Sequence, residues 1–190
     1  MRGMESIKQD IGDLLKKNSR VIVAIDGMSA AGKTTLAGEL SKEFDCNIFH
    51  MDDFFLTEEL RTPSRLSEVG GNVDYLRFKT EVADKLPGGD PFTYRIYDCK
   101  RGEFSKTVYV KPKGLSIVEG AYSLHPTFSH IFDYKILMKI DSRLQKQRIA
   151  ERNGEFMLSR FLNEWIPKEN EYLERFNIER QCNRVVFTGS

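Results

Sequence analysis

Five short apolar runs recur along the chain, at residues 21–25, 47–51, 115–118, 135–140 and 184–187. Each has the length of a strand, and the first, Val-Ile-Val-Ala-Ile, has no polar position at all, as in a strand buried on both faces. Between several of them apolar residues recur at helical spacing, which predicts helices at 33–44, 75–86, 143–152 and 155–176. Pro167 breaks the last of these or opens a new helix as its first residue. Strands alternating with helices predict an α/β fold: a doubly wound parallel sheet of about five strands with flanking helices. Residues 91–112 follow another rhythm. "FTYRIYD" and "KTVYVK" alternate in the strand manner around Lys100-Arg101-Gly102, which predicts a small β-hairpin outside the main sheet. Near the start, Ile7, Ile11, Leu14 and Leu15 share one helical face. The opposite face mixes Asp10, Asp13, Lys16 and Lys17, so this helix is expected to pack on the domain and not on a membrane. Leu158, Phe161, Leu162 and Trp165 recur at helical spacing and read as core, continued by Tyr172, Leu173 and Phe176.

Composition narrows the picture. The 190 residues are 40% hydrophobic and 30% charged, which suits one soluble domain spanning 1–190. A net charge of +1 gives no field for nucleic acid or an acidic membrane, so neither is expected as a partner. No apolar run approaches the ~18 residues of a membrane span, and no secretory signal is visible. Cys46, Cys99 and Cys182 are scattered, odd in number and without a C-x-x-C pair. They support neither a zinc site nor a disulfide framework, and they fit a reducing, cytoplasmic location. Oligomeric state is left open.

The candidate chemistry begins where the first strand ends. Gly27-Met28-Ser29-Ala30-Ala31-Gly32-Lys33-Thr34, with Thr35 next, fits G-x-x-x-x-G-K-[ST] between a strand and a helix, the phosphate-binding loop. Its glycines allow a tight turn whose N–H groups point at phosphate oxygens. The helix that follows adds the positive end of its dipole. Lys33 can reach the outer phosphates, and the Thr34 hydroxyl can ligate Mg²⁺. In open α/β sheets ligands bind beyond the carboxyl ends of the strands, so the residues after each run come next. After the second run stands "HMDDFF", where Asp52 can take a proton from an attacking hydroxyl or hold Mg²⁺ through water. After the third, Glu119 ends "VE" as the acid of a Walker-B element does, with outer-shell Mg²⁺ binding as its role. After the fourth, Arg143, Lys146, Arg148 and Arg152 crowd a short helix, a lid at about 143–155, with Arg148 and Arg152 sharing a face. Cations on a mobile lid would stabilise a migrating γ-phosphate. Asp74 opens a predicted helix, as its cap or as a partner for a sugar diol. Tyr97 offers a ring for stacking. His125 in its loop reads as structural.

These motifs, in this order, resemble the uridine kinase and phosphoribulokinase-like family of P-loop kinases, from about Val21 to the last strand. "DGMSAAGKTTLA" is similar to that family's phosphate loop, "DDFF" to its acid motif, and "NVDY" to its post-linker motif. "YDCKR" resembles its hairpin motif, "VEGAY" its V-x-E-G element, and "RIAERNG" its arginine lid. The resemblance implies a general base at Asp52 and ribose contacts at Asp74. It further implies a hairpin pair at Tyr97 and Asp98, Mg²⁺ near Glu119, and lid arginines at Arg148 and Arg152. Phe55, Asp74, Tyr97, Asp98 and Arg143 make up the expected acceptor side. Two positions depart from the uridine–cytidine kinase pattern. Gly102 stands where a base-reading histidine is found, and Phe55 stands where those enzymes carry tyrosine.

The expected function is therefore transfer of the γ-phosphate of ATP, with Mg²⁺, to a hydroxyl of a small molecule, the 5′-hydroxyl of a nucleoside such as uridine. Gly27, Ser29, Ala30, Ala31, Gly32, Lys33, Thr34 and Thr35 would hold ATP. Thr34, Glu119 and Asp52 would serve the metal, and Asp52, Lys33, Arg148 and Arg152 would carry the catalysis. Alternatives are a kinase of another small alcohol or phosphosugar, a nucleoside-monophosphate kinase using Arg77, Arg95 and Arg101, or a nucleotide-binding regulator without turnover.

Overall fold

The computed structural model describes residues 2–189. β1 (Val21–Gly27) is buried along its whole length. It runs through the middle of a five-stranded sheet whose other members are β2 (Cys46–His50), β5 (Leu115–Glu119), β6 (Tyr134–Ile140) and β7 (Arg184–Thr188), in the order β2-β5-β1-β6-β7. Every neighbouring pair is parallel. An unbroken apolar β1 follows from this arrangement, since a central parallel strand is covered on both faces. The hairpin β3 (Phe92–Asp98) and β4 (Glu103–Val110) pairs antiparallel as a separate two-stranded sheet, as its alternation predicts.

One face of the sheet is covered by α1 (Arg2–Lys17) and α2 (Lys33–Glu43). Ile7 and Ile11 of α1 are buried with Leu36 and Leu40 of α2 against Val21, Val23 and Ile136. The polar face of α1 does its own tying: Lys8 reaches Glu43 at 3.2 Å, and Asp10 pairs with Arg184 at 2.7 Å. On the other face, Phe49, Phe54, Phe78, Phe128 and Tyr172 form a second core with the base of the hairpin.

The helical regions differ in detail from the sequence pattern. Residues 75–86 form a short α4 (Tyr75–Phe78) that widens into a π-turn at Lys79–Ala83. The wider turn lets the adjacent Val82 and Ala83 both reach the core. A further short helix, α3 (Pro63–Ser67), is opened by Thr62, whose hydroxyl accepts from the Arg65 N–H at 3.2 Å. The two expected helices at 143–152 and 155–176 are instead α5 (Ser142–Arg160), a π-turn at Phe161–Trp165, and α6 (Ile166–Arg175) with Pro167 in its first turn. α5 is interrupted at Gly154, where φ is 81° and ψ 165°. Only glycine adopts that backbone without strain, so the helix is broken there. α7 (Ile178–Gln181) leads into β7. No described helix is long and apolar enough to cross a membrane.

His125 lies in this second core, stacked on Tyr75 at 4.1 Å and 6% exposed. Its Nδ1 accepts from the Thr127 N–H at 3.3 Å. Burial first, and then the Arg65 charge, push its pKa down from 6.5 to about 4. The unfolded chain thus binds a proton that the native imidazole refuses. The histidine's contribution is fully present above about pH 6.5 and is lost as the pH falls towards 4, by on the order of 3 kcal/mol. Urea denaturation across that window should show this decline in the wild type and a flatter one in His125→Phe, which keeps the stack without the proton. Equal slopes in the two proteins would show that the histidine is not held neutral.

Candidate active site

Because all five strands are parallel, their carboxyl ends share one edge. The register brings the ends together: Glu119, the last residue of β5, lies opposite Ile25 of β1 on one side and His50 of β2 on the other. The phosphate loop leaves β1 at Gly27, where φ is 132°. A Cβ there would stand 2.0 Å from the Met138 carbonyl oxygen of β6, so no other residue fits.

The loop is held from outside by its carbonyls. Gln145 Nε2 donates to Ser29 O at 3.0 Å, Arg148 Nη1 to Ala30 O at 3.1 Å, and the Thr188 hydroxyl to Ala31 O at 3.0 Å. Part of the loop's own N–H set is engaged as well, Met28 donating to Met138 O at 3.0 Å and Ala31 to Met28 O at 3.2 Å, so an anion would be met chiefly by the N–H groups at the start of α2. Lys33 folds back, donating to Gly27 O and Met28 O at 2.8 and 2.9 Å.

Three carboxylates converge on this loop. Asp52 follows β2 in a single 3₁₀ turn and is solvent-accessible along the cleft. Crowding by the surrounding protein, then the charge of Glu119, raise its pKa, while Lys33, His50 and Arg152 pull it back. Glu119 is 5% exposed and accepts from the Thr34 hydroxyl at 3.1 Å, and His50 Nδ1 lies 2.5 Å from the same oxygen. That bond to Glu119 is the main reason the His50 pKa is raised. The third carboxylate is Glu169 of α6, 6% exposed. It accepts from the Ser29 N–H at 2.9 Å and the Ser29 hydroxyl at 2.5 Å. Burial raises its pKa, against Lys33 and the Ser29 bonds.

A cavity of about 200 Å³ joins these groups; Ser29, Lys33, Thr34, Asp52, Phe55, Glu119, Arg152 and Glu169 all line it. On the outer side of the loop a second cavity of about 730 Å³ is lined by Ala31, Gly32, Thr35, Arg148, Phe187 and the start of α1. The expected loop, acid and lid residues are thus brought together, with Arg152 facing the inner cleft and Arg148 spent on the loop carbonyl.

The expected acceptor residues fare differently. Phe55 lines the cleft, bridged to Val73. Asp74 does not: Oδ1 caps α4 by accepting from the Arg77 N–H at 3.0 Å, and Oδ2 pairs with Arg77 Nε at 3.2 Å. Both of its oxygens already accept from Arg77. Tyr97 is buried edge-on against Phe104, Asp98 accepts from the Lys100 N–H within the hairpin turn, and Arg143 stands exposed at the start of α5. None of these lines the cleft. Conversely Phe161 and Trp165, expected as core, form part of its wall. Glu169 was not legible as a site residue, since a lone acid within a helical pattern carries no signal of its own. Asp26 went unread as well, although its place before Gly27 in "IDG" was a cue.

A divalent cation fits this edge by donor chemistry. Thr34 Oγ1 and the Glu119 carboxylate are hard oxygen donors meeting beside the phosphate loop, with Asp52 across the cleft. Mg²⁺ is commonly held by one or two such groups together with phosphate oxygens and water. Among the described residues no group of three or more His, Cys, Asp or Glu is arranged as a complete metal cage.

No family model and no curated protein matches this chain. Solved structures do. A candidate uridine kinase from Bacillus stearothermophilus superposes with a TM-score of 0.66 at 23% identity, covering 95% of this chain and 98% of that one. A candidate fructose transport system kinase from Silicibacter sp. TM1040 gives 0.73 at 18% identity, covering 96% and 98%. Shikimate kinase from Acinetobacter baumannii, in complex with shikimate, gives 0.51 at 16% identity over 91% and 86%. The likeness is one of fold: this chain is a five-stranded parallel sheet flanked by helices, the P-loop architecture of these proteins.

Proposed function

We propose that the protein is an ATP-dependent kinase that moves the γ-phosphate of a magnesium nucleotide to the hydroxyl of a small molecule, the 5′-hydroxyl of a nucleoside being the leading acceptor. The observation that carries this reading is the shared cleft. A carboxylate at Asp52 faces the phosphate loop and Lys33, with Thr34 and Glu119 beside them.

In this reading the outer cavity takes the nucleoside half of ATP, and the triphosphate lies along the loop's N–H groups. Lys33 leaves the Gly27 and Met28 carbonyls to bridge the β- and γ-phosphates. When bound, Mg²⁺ offsets the charge of the phosphate oxygens. The acceptor hydroxyl gives its proton to Asp52 as its oxygen bonds to the γ-phosphorus, and ADP leaves with the electrons of the broken bond. The raised pKa of Asp52 suits a proton acceptor. Arg152 is placed to meet the charge on the migrating group, while Arg148 keeps the loop in shape.

Two alternatives lose support. A monophosphate acceptor needs cations, but Arg77 is committed to Asp74 and to the carbonyls of Arg95, Asp53 and Phe55. Arg95 is paired with Glu81 at 2.5 Å, and Arg101 lies exposed at the hairpin turn. A regulator without turnover has no use for an acid at the position of Asp52. A non-nucleoside alcohol stays open, because Gly102 and Phe55 offer no side-chain hydrogen bond to a base.

Asp52→Asn should lower kcat by ~10² to 10⁴ and leave the ATP dissociation constant within a few-fold of wild type. Asp53 is the control. Its carboxylate accepts from the Tyr94 hydroxyl at 3.3 Å, outside the cleft, so Asp53→Asn should be milder. A crippled Asp53→Asn beside a healthy Asp52→Asn would reverse the assignment.

Lys33→Ala should abolish turnover while circular dichroism stays that of the wild type. Glu119→Gln should raise the Mg²⁺ concentration needed for half-maximal rate. An unchanged Mg²⁺ titration would place the metal elsewhere.

A further inference from the structure

The inner cleft has a wall that the phosphate chemistry does not use. Phe55, Phe161 and Trp165 present apolar ring surface to it, the last two packed edge-to-face at 4.5 Å. Tyr122 and Asn72 add polar groups. Tyr122 is 2% exposed; its hydroxyl and Asn72 Oδ1 are both buried without a well-formed hydrogen bond, the Asn72 side chain lying beside the hydroxyl. Burial first, and then the Glu169 charge, keep the tyrosine protonated. A buried donor and a buried acceptor with so little hydrogen bonding are costly, and a ligand group carrying both functions would improve on what they offer each other.

The charge of this wall is one-sided. Both oxygens of Glu169 accept from Ser29, as those of an ionised carboxylate do. The lysine and arginine that line the inner cleft, Lys33 and Arg152, belong to the phosphate loop and the lid. Nearby guanidiniums are spent elsewhere: Arg65 on Glu68 and the Tyr75 ring, Arg77 on Asp74.

Resting on the kinase reading above, we propose that this wall is the acceptor subsite, that it takes a ring-bearing hydroxyl compound without negative charge, and that Glu169 is the residue that turns anionic acceptors away. The aromatic side chains take the ring, and the Tyr122 hydroxyl and Asn72 Oδ1 take a hydroxyl or amide on it. With Lys33 and Arg152 engaged by the phosphates of ATP, a phosphate or carboxylate on the acceptor would meet Glu169 without a further cation from the cleft lining. A like charge a few ångströms away in such a site costs roughly a hundredfold in affinity. Phosphosugars, nucleotides and hydroxy acids are thereby excluded, and nucleosides or neutral vitamin-like alcohols are admitted.

Trp165 is the chain's single tryptophan and stands in this wall, so its fluorescence reads occupancy without any turnover. The test uses the full chain with Mg²⁺ and a non-hydrolysable ATP analogue. Matched pairs that keep the primary hydroxyl are titrated at up to millimolar concentration: nucleosides against their 3′-monophosphates, and pyridoxine against a pyridoxine derivative bearing a remote carboxylate. At least one neutral ring compound should change the emission, and its anionic partner should bind about a hundredfold more weakly. Glu169→Gln keeps the shape and a bond to Ser29, and it should narrow that ratio about tenfold or more.

Equal binding within the pairs, a preference for the anion, or no neutral ring compound bound would overturn the subsite. An unchanged ratio in a folded Glu169→Gln would remove Glu169 as the discriminator, and the wild-type pairs decide the charge rule even if that variant does not fold. ATP turnover is scored separately. A neutral compound that binds but is never phosphorylated sinks the kinase reading and supports the subsite. Efficient phosphorylation of an anionic acceptor does the reverse.

Discussion

The edge that carries the candidate site depends on one buried carboxylate, Asp26. It lies in β1 just before the phosphate loop and is 1% exposed. It accepts from the N–H groups of Gly27 at 2.6 Å, Tyr122 at 3.1 Å and Leu124 at 2.8 Å, and from the Tyr172 hydroxyl at 2.7 Å. Burial drives its pKa up, and Tyr172, the backbone donors and Lys33 oppose that drive. A buried charge is tolerated only when fully hydrogen-bonded, so these groups are bound to one another by necessity. One side chain thereby fixes three things at once: where the phosphate loop departs, how the loop after β5 turns, and where α6 docks. Glu169 and Tyr122 reach the cleft from two of the elements it ties.

The phosphate loop is shaped from behind by elements that come last in the chain. Gln145 and Arg148 of α5 and Thr188 of β7 hold successive carbonyls, so the lid helix and the loop share hydrogen bonds. Beyond Gly154 the same helical segment continues to Phe161, Trp165 and Glu169 on the opposite wall of the cleft. The segment that bends there thus contacts the phosphate loop on both sides.

The electrostatics divide along the same line. Cations gather where phosphate oxygens would lie, through Lys33, Arg148 and Arg152. Carboxylates line the inner cleft beside the loop, through Asp52, Glu119 and Glu169. A transferring phosphoryl group would cross from the first field into the second, where Asp52 can hold a proton and Mg²⁺ at Glu119 and Thr34 can offset charge. Arg77 and Arg95 lie outside this division, paired with Asp74 and Glu81 and, for Arg77, with the Arg95 carbonyl.

By itself the sequence determined whatever is local. Eight contiguous residues between a strand and a helix mark the phosphate loop, since its glycines, lysine and threonine all lie in one local stretch. Alternation marks the hairpin, and an acid closing an apolar run marks Glu119. Only the tertiary structure decided the contacts between distant parts. Glu169 meets Ser29 across 140 positions and Tyr172 meets Asp26 across 146, separations that no periodicity encodes. The same apolar spacing that put Phe161 and Trp165 in the core serves equally for a cleft wall, because period reveals a face but not what lies opposite. Asp74 shows the converse case. Its place at a helix start allowed either a cap or a ligand contact, and the guanidinium of Arg77, folded against it, settled its side chain as a cap.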